Sequence, residues 1–195
     1  MRFLFVIVIS FFIMFGLWFI DYKSTMMQSI DSLQKDSYRY NQLLDNIVCQ
    51  YHYNNQTLNK EIPMVSQKGD TVIIGNVLDN NKLAICFNGT KCRTCLDLFY
   101  SYIKKIKPYI MSVRNNCIVI IDSNNLLDKK VISDYVQCDT YHVLTNELSI
   151  KQNDLSIPLC FFIITNEGMI KNLFIPIEKD NKIWISYFES IKGDL

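Results

Sequence analysis

Leu83-Ala84-Ile85-Cys86-Phe87 is an unbroken apolar run of strand length. A helical pattern follows, with Leu96, Phe99, Ile103 and Ile106 at three- and four-residue steps. Between them lies Asn88-Gly89-Thr90-Lys91-Cys92-Arg93-Thr94-Cys95. The two cysteines of a C-x-x-C therefore sit where a buried strand turns into a helix. The unpaired N–H groups and the positive dipole end of a helix stabilise an anion, here a thiolate on Cys92. Lys91 and Arg93 flank it and act in the same direction. A free cysteine has a pKa of about 8.5, and such surroundings bring it to roughly 3.5–7.5. Cys95 falls one turn later on the same side of the helix, within disulfide reach. The pattern points to a redox dithiol.

Further apolar runs set the fold class. Cys117–Ile121 is a second strand of this kind, and Asn124–Val136 carries a helical stripe of Leu127, Val131, Ile132 and Tyr135. Tyr141–Leu144 is a short strand. Leu159–Ile164 is a strong one, joined through the turn Asn166-Glu167-Gly168 to a partner at Met169–Ile175. Asn181–Ile191 reads as a closing helix, with Ile183, Trp184, Tyr187, Phe188 and Ile191 apolar. Apolar strands joined by helices imply a parallel core sheet covered on both faces, here with an antiparallel edge. The expected fold is an α/β sandwich. The helix after the dithiol is expected to close at Pro108, behind Lys104, Lys105 and Lys107.

The amino-terminal third has a different character. Phe3–Ile20 is apolar apart from Ser10 and Gly16, and Asp21, Tyr22 and Lys23 follow at once. About 18 such residues just span a bilayer. A cleaved signal peptide has a shorter apolar part and a small-residue cleavage site, and none is present here. An uncleaved anchor is the favoured reading, with the amino terminus weakly placed in the cytoplasm by Arg2. Met26–Ile47 is helical, and Met26, Leu33, Tyr40 and Ile47 recur every seven residues, with Ser37 interrupting the intermediate row of Ile30 and Leu44. An amphipathic helix or spacer is favoured over a stalk that forms a homodimer. Asn54–Lys68 carries Pro63 and reads as a loop or linker, and Thr71–Ile74 begins a strand. The organisation expected is an anchor over 1–23, a helical stalk and linker over 24–68, and an α/β domain over 69–195.

The formal net charge of the 195 residues is +1, which provides no field for nucleic acid. The seven cysteines are an odd number in a chain too long to need staples, so a disulfide framework is disfavoured. Cys86, Cys117 and Cys160 lie inside strand-like runs and read as small buried hydrophobes, whereas Cys49 and Cys138 sit in more polar sequence and could pair. Zinc needs two ligands beyond Cys92 and Cys95. With His52 and His142 the only histidines, neither metal nor cofactor is expected, and His142 reads as a strand residue with a satisfied hydrogen bond.

With these elements in order, the chain from about Thr71 onward resembles the thioredoxin-like superfamily, and within it the membrane-anchored bacterial thiol–disulfide oxidoreductases of the TlpA/ResA kind. Three segments carry the likeness. Lys82–Cys95 looks like the family's strand, loop and C-x-x-C helix start. Ser156-Ile157-Pro158-Leu159 is similar to the place where a cis-proline opens a strand, and Thr165–Gly168 is like the turn between the last two strands. The resemblance implies a thioredoxin-like sandwich, a mixed central sheet with helices on both faces. It implies Cys92 as attacking thiolate, Cys95 as resolving thiol, Pro158 beside the dithiol, and the Ile157 backbone as the substrate's pairing edge. On the residues alone, an ordinary loop proline ahead of a strand is the alternative reading of Pro158.

The activity implied is thiol–disulfide exchange with protein thiols or disulfides and a redox partner. The location implied is the inner membrane, with the domain periplasmic. The chain departs from the family in having Lys91 where tryptophan is usual, Arg93-Thr94 between the cysteines, and no carboxylate in Leu83–Phe87. An inert thioredoxin-like binding or scaffold module is the alternative. A thiol peroxidase is disfavoured, because Thr90 stands two residues before Cys92 and no proline leads the loop.

Overall fold

The computed structural model describes residues 2–88, 93–121, 126–143, 151–152, 155–156, 159–176 and 181–195. It divides into two compact units, Met1–Leu44 and Asp45–Leu195.

The first unit belongs to a single helix, α1, which runs Arg2–Tyr53 and continues into the second unit. The expected anchor and the expected stalk helix are thus one element. No Gly or Pro stands between Ile20 and Met26 to break it, and its hydroxyl side chains bond back onto the helix itself. Thr25 Oγ1 donates to the Asp21 carbonyl at 3.0 Å and Ser29 Oγ to that of Thr25 at 3.0 Å. The expectation of a membrane-spanning segment is not met in this form: among the described residues, no helix is long and apolar enough to cross a membrane. The side chains of Arg2–Val6 and Val8 lie outside the described set. Met26, Leu33, Tyr40 and Ile47, the seven-residue row, are all exposed.

The second unit is built on a seven-stranded sheet. Its strands are β1 (Pro63–Ser66), β2 (Thr71–Ile73), β3 (Lys82–Phe87), β4 (Cys117–Ile121) and β5 (Asp139–Val143). The short β6 (Lys151–Gln152) and β7 (Leu155–Ser156) pair only with each other, while β8 (Leu159–Ile164) and β9 (Ile170–Phe174) rejoin the main sheet. The order is β2-β1-β5-β4-β3-β8-β9. Strands β3, β4 and β5 are parallel, connected by α2 (Arg93–Ser112) and α3 (Leu126–Val136). Strand β8 pairs antiparallel with β3 and β9 antiparallel with β8, while β1 pairs antiparallel with β5 and β2 antiparallel with β1.

Alternation along the central strands sorts their side chains onto two faces. Leu83, Ile85 and Phe87 of β3, Val119 and Ile121 of β4, and Phe161 and Ile163 of β8 face α2, α3 and α4 (Asn181–Ser190). Ala84, Cys86, Ile118, Ile120, Cys160 and Phe162 face the other way, towards Cys49 in the last turns of α1 and towards Ile62, Met64 and Ile74. Both faces are dry, which is why these runs show no polar alternation. Helices cover both sides as expected, although three of the four lie on one face and only the end of α1 on the other.

Several expectations need correction. Residues 54–68 are not all loop, because β1 lies within them. Its Pro63 opens the strand, where a missing N–H is tolerated, and only Met64 is fully buried, so four residues left little apolar signal. Helix α2 does not end at Pro108 but carries it internally, and Ile110 beyond it is completely buried. That burial opposes the usual cost of an internal proline, about 3 kcal/mol. Val131 is exposed, while Ile132 and Val136 form the buried stripe of α3. Cys49 and Cys138 face opposite sides of the sheet and do not meet.

The outer edge of β9 and the residue after it are closed by the last turns of α1 and the chain that leaves it. Asn46, buried, donates from Nδ2 to the Ile175 carbonyl at 2.8 Å and accepts from the Ile175 N–H at 2.6 Å. Asn54 Oδ1 accepts from Leu173 N–H at 3.0 Å, and the backbone of Asn55 and Gln56 bonds both polar groups of Ile170. An amide side chain here satisfies groups that an open sheet edge would leave for another strand.

Candidate functional site

Cys95 falls just past the junction between β3 and α2. Strand β3 is buried along its whole length and ends at Phe87, and α2 starts at Arg93. Cys95 therefore lies in the first turn of α2. It is half-buried and packs against the core on the helix-covered face. Thr94 and Asp97 beside it are exposed, so the turn presents a polar surface with one sulfur set behind it. Cys92 and Lys91 lie outside the described residues, as do Ile157 and Pro158; Arg93 is described in its backbone only.

A ring contact fixes the helix start on the sheet, and others tie α2 to α3. The rings of Phe87, the last residue of β3, and Phe99, in the second turn of α2, are 4.6 Å apart between centroids, and both are fully buried. Phe99 then meets Tyr100, whose ring lies 5.0 Å from that of Tyr135 on α3. Lys107 crosses back, donating to the Tyr135 carbonyl at 3.1 Å with its ammonium 5.1 Å over the Tyr135 ring. Helical spacing singled out Phe99 as a core residue; its partner across the junction was not legible from spacing.

Register supplies the other side. Phe87 is the Cα partner of Leu159, and Cys86 of Cys160, because β3 and β8 run antiparallel. The end of β3 that leads to the dithiol and the start of β8 that follows Pro158 are thus neighbours in the sheet. His142, in β5, is buried with Nδ1 3.0 Å from the Ile121 carbonyl, which is the satisfied strand histidine expected from sequence. Among the described residues no group of three or more His, Cys, Asp or Glu side chains is placed to hold a metal ion.

No family model matches the chain, and no curated protein matches it. Solved structures do. Two are a candidate electron transfer protein and a candidate electron transport protein, both from Aquifex aeolicus. The first is 15% identical with a TM-score of 0.53, over 72% of this chain and 95% of that one. The second is 15% identical with a TM-score of 0.52, over 72% of this chain and 99% of that one. AhpC from Enterococcus faecalis is 14% identical with a TM-score of 0.50, over 72% of this chain and 92% of that one. Identities this low speak to the fold alone. Together with the mixed sheet and its helix crossovers, they make this a chain with a thioredoxin-like fold.

Proposed function

We propose that the chain is a thiol–disulfide oxidoreductase working on protein thiols or disulfides through Cys92 and Cys95. The observation that carries this reading is the position of Cys95. It occupies the first turn of a helix that leaves a fully buried parallel strand, half-buried against the core on a thioredoxin-like sheet. Cys92 is the nucleophile. It attacks a substrate sulfur, the other substrate sulfur leaves as a thiol, and Cys95 then displaces the substrate from the mixed disulfide. Lys91 and Arg93 favour the Cys92 thiolate. The Phe87–Leu159 pairing supports a role for Ile157 and Pro158, which directly precede Leu159, in holding the substrate's extended chain beside the dithiol.

The test is catalysed reduction of a disulfide-bonded protein such as insulin by the full chain. Turnover is expected with the natural sequence and only the uncatalysed background with Cys92→Ser. No turnover, with both sulfurs resistant to alkylation in the folded chain, would replace this reading by an inert binding module.

The proposal extends to location. Residues 3–20 anchor the chain in the cytoplasmic membrane, with the thioredoxin-like unit outside the cytoplasm. The sequence of that stretch, apolar apart from Ser10 and Gly16, supports it, as do exposed Phe11, Phe12, Ile13, Met14 and Leu17. Deleting residues 1–23 is expected to move the protein from the membrane fraction to the supernatant. A full chain that already fractionates as a soluble protein would overturn this part.

A further inference from the structure

Cys117 opens β4 and Cys138 stands immediately before β5. These strands are parallel with Ile118 opposite Asp139, so the two cysteines occupy the next position of the same register. Both belong to the core on the same face of the sheet. Neighbouring strands lie about 4.7–4.9 Å apart, inside the roughly 4.4–6.8 Å between Cα atoms that a disulfide spans. Gln137, at φ 62°, turns the chain through the left-handed region at the end of α3 and delivers Cys138 to this place. The Cys138 thiol donates to the Val136 carbonyl at 3.9 Å, within its own turn.

Both are buried, Cys138 being 6% exposed. Cys117 is 2% exposed, inside the core, and the hydrogen bond with Cys138 followed by burial holds its thiol well above the usual range. Cys138 lines a cleft of about 550 Å³ together with Gln67, Arg114, Ser133, Asp134 and Asp139. The hydrogen bond from Cys117 lowers its pKa, burial and Asp139 oppose this, and Arg114 adds to it. Of the two, Cys138 is the residue that borders this polar cleft, and Cys117 is its neighbour in the register. The cleft lining includes one guanidinium, Arg114, and two carboxylates, Asp134 and Asp139, which complements a small molecule carrying both a carboxylate and an ammonium.

We propose that Cys117 and Cys138 form a second dithiol, separate from the C-x-x-C, that is oxidised to a disulfide by low-molecular-weight zwitterionic disulfides entering this cleft. Cys138 attacks one sulfur of the small disulfide; that S–S bond breaks, and one small thiol leaves. A mixed disulfide remains on Cys138. The Cys117 sulfur then attacks the Cys138 sulfur, the second small thiol leaves, and the Cys117–Cys138 bond forms. The protons of the two cysteines end on the two released thiols, and the pair of electrons lost by the cysteines reduces the small disulfide. The bond closes the α3–β5 turn onto the start of β4.

The experiment uses the full chain with Cys92→Ser and Cys95→Ser, so that the C-x-x-C cannot exchange, and oxidised glutathione as the probe. Digestion under non-reducing conditions, with mass mapping, is expected to give a peptide containing Cys117 disulfide-linked to one containing Cys138, reversed by excess reduced glutathione. Adding Cys117→Ala is expected to stop the reaction at a glutathione adduct on Cys138. The proposal fails if neither an adduct nor a linked peptide forms. It fails equally if the Cys138 adduct persists unchanged while Cys117 is present. The linked peptide is read in a chain that retains both residues, so poor folding of the Cys117→Ala variant leaves the answer intact.

Discussion

Truncating Phe161 to alanine is expected to cost about 3–5 kcal/mol, the range for a large buried aromatic replaced by alanine. Phe161 lies at the centre of β8 with no exposed surface. Its ring meets Trp184 at 5.9 Å and Phe188 at 5.5 Å, both on α4, and Phe174 of β9 at 6.4 Å. No flexible side chain closes the space, because Phe174 and Trp184 are themselves pinned against each other at 5.7 Å. For a chain of this length the loss corresponds to a fall of roughly 6–20 °C in melting temperature. Leu98, 36% exposed on α2, is the control, and its replacement by alanine is expected to stay within about 0.5 kcal/mol. Thermal unfolding of both variants checks the pair. Equal shifts would mean that the α4 side of the sheet is not the core of the unit.

The second large effect concerns Cys95. Its place behind Thr94 and Asp97, packed against the core, suits a thiol that is reached from a mixed disulfide already formed at its neighbour. With Cys95→Ser the mixed disulfide between Cys92 and a protein substrate has no internal thiol to resolve it. A stable adduct is expected on a non-reducing gel, sensitive to reductant and missing when Cys92→Ser is added. Turnover of the substrate stops in both variants, but only the first accumulates the adduct. If Cys95→Ser resolved its substrate as fast as the natural chain, Cys95 would not be the resolving thiol.

The centre of this fold was readable because its strands are buried on both faces. Leu83–Phe87, Cys117–Ile121 and Leu159–Ile164 carry no polar residue, and a run of that length with turn signals at its ends has few alternatives. The periphery was not readable for the opposite reason. Strands β1 and β2 are four and three residues long and half-exposed, and they exist by pairing with β5 and with each other. Pro108 is a breaker by local rules, yet α2 continues through it because the core beyond requires Ile110. Asn46 and Asn54 close the edge of β9 from more than a hundred residues away, which no local pattern encodes.

The same division holds for the cysteines. The C-x-x-C is local, so its spacing was visible, and Cys95 stands in the first turn of α2. Cys117 and Cys138 are brought together by strand register, so each read as a separate residue. Cys86 and Cys160 are likewise opposite one another in β3 and β8, both buried; burial by surrounding core holds the Cys160 thiol well above its usual range.

The most direct measurement is equilibrium titration of Cys92 and Cys95 in defined thiol–disulfide buffers, with free thiols mass-tagged and mapped by peptide. The account predicts one reversible two-electron transition shared by the two residues and lost in either serine variant. Its midpoint is expected above the value of about −270 mV typical of thioredoxin, because Lys91 and Arg93 favour the reduced, thiolate form. No transition at these residues across the biological range would contradict the account and leave a thioredoxin-like fold that binds without exchanging electrons.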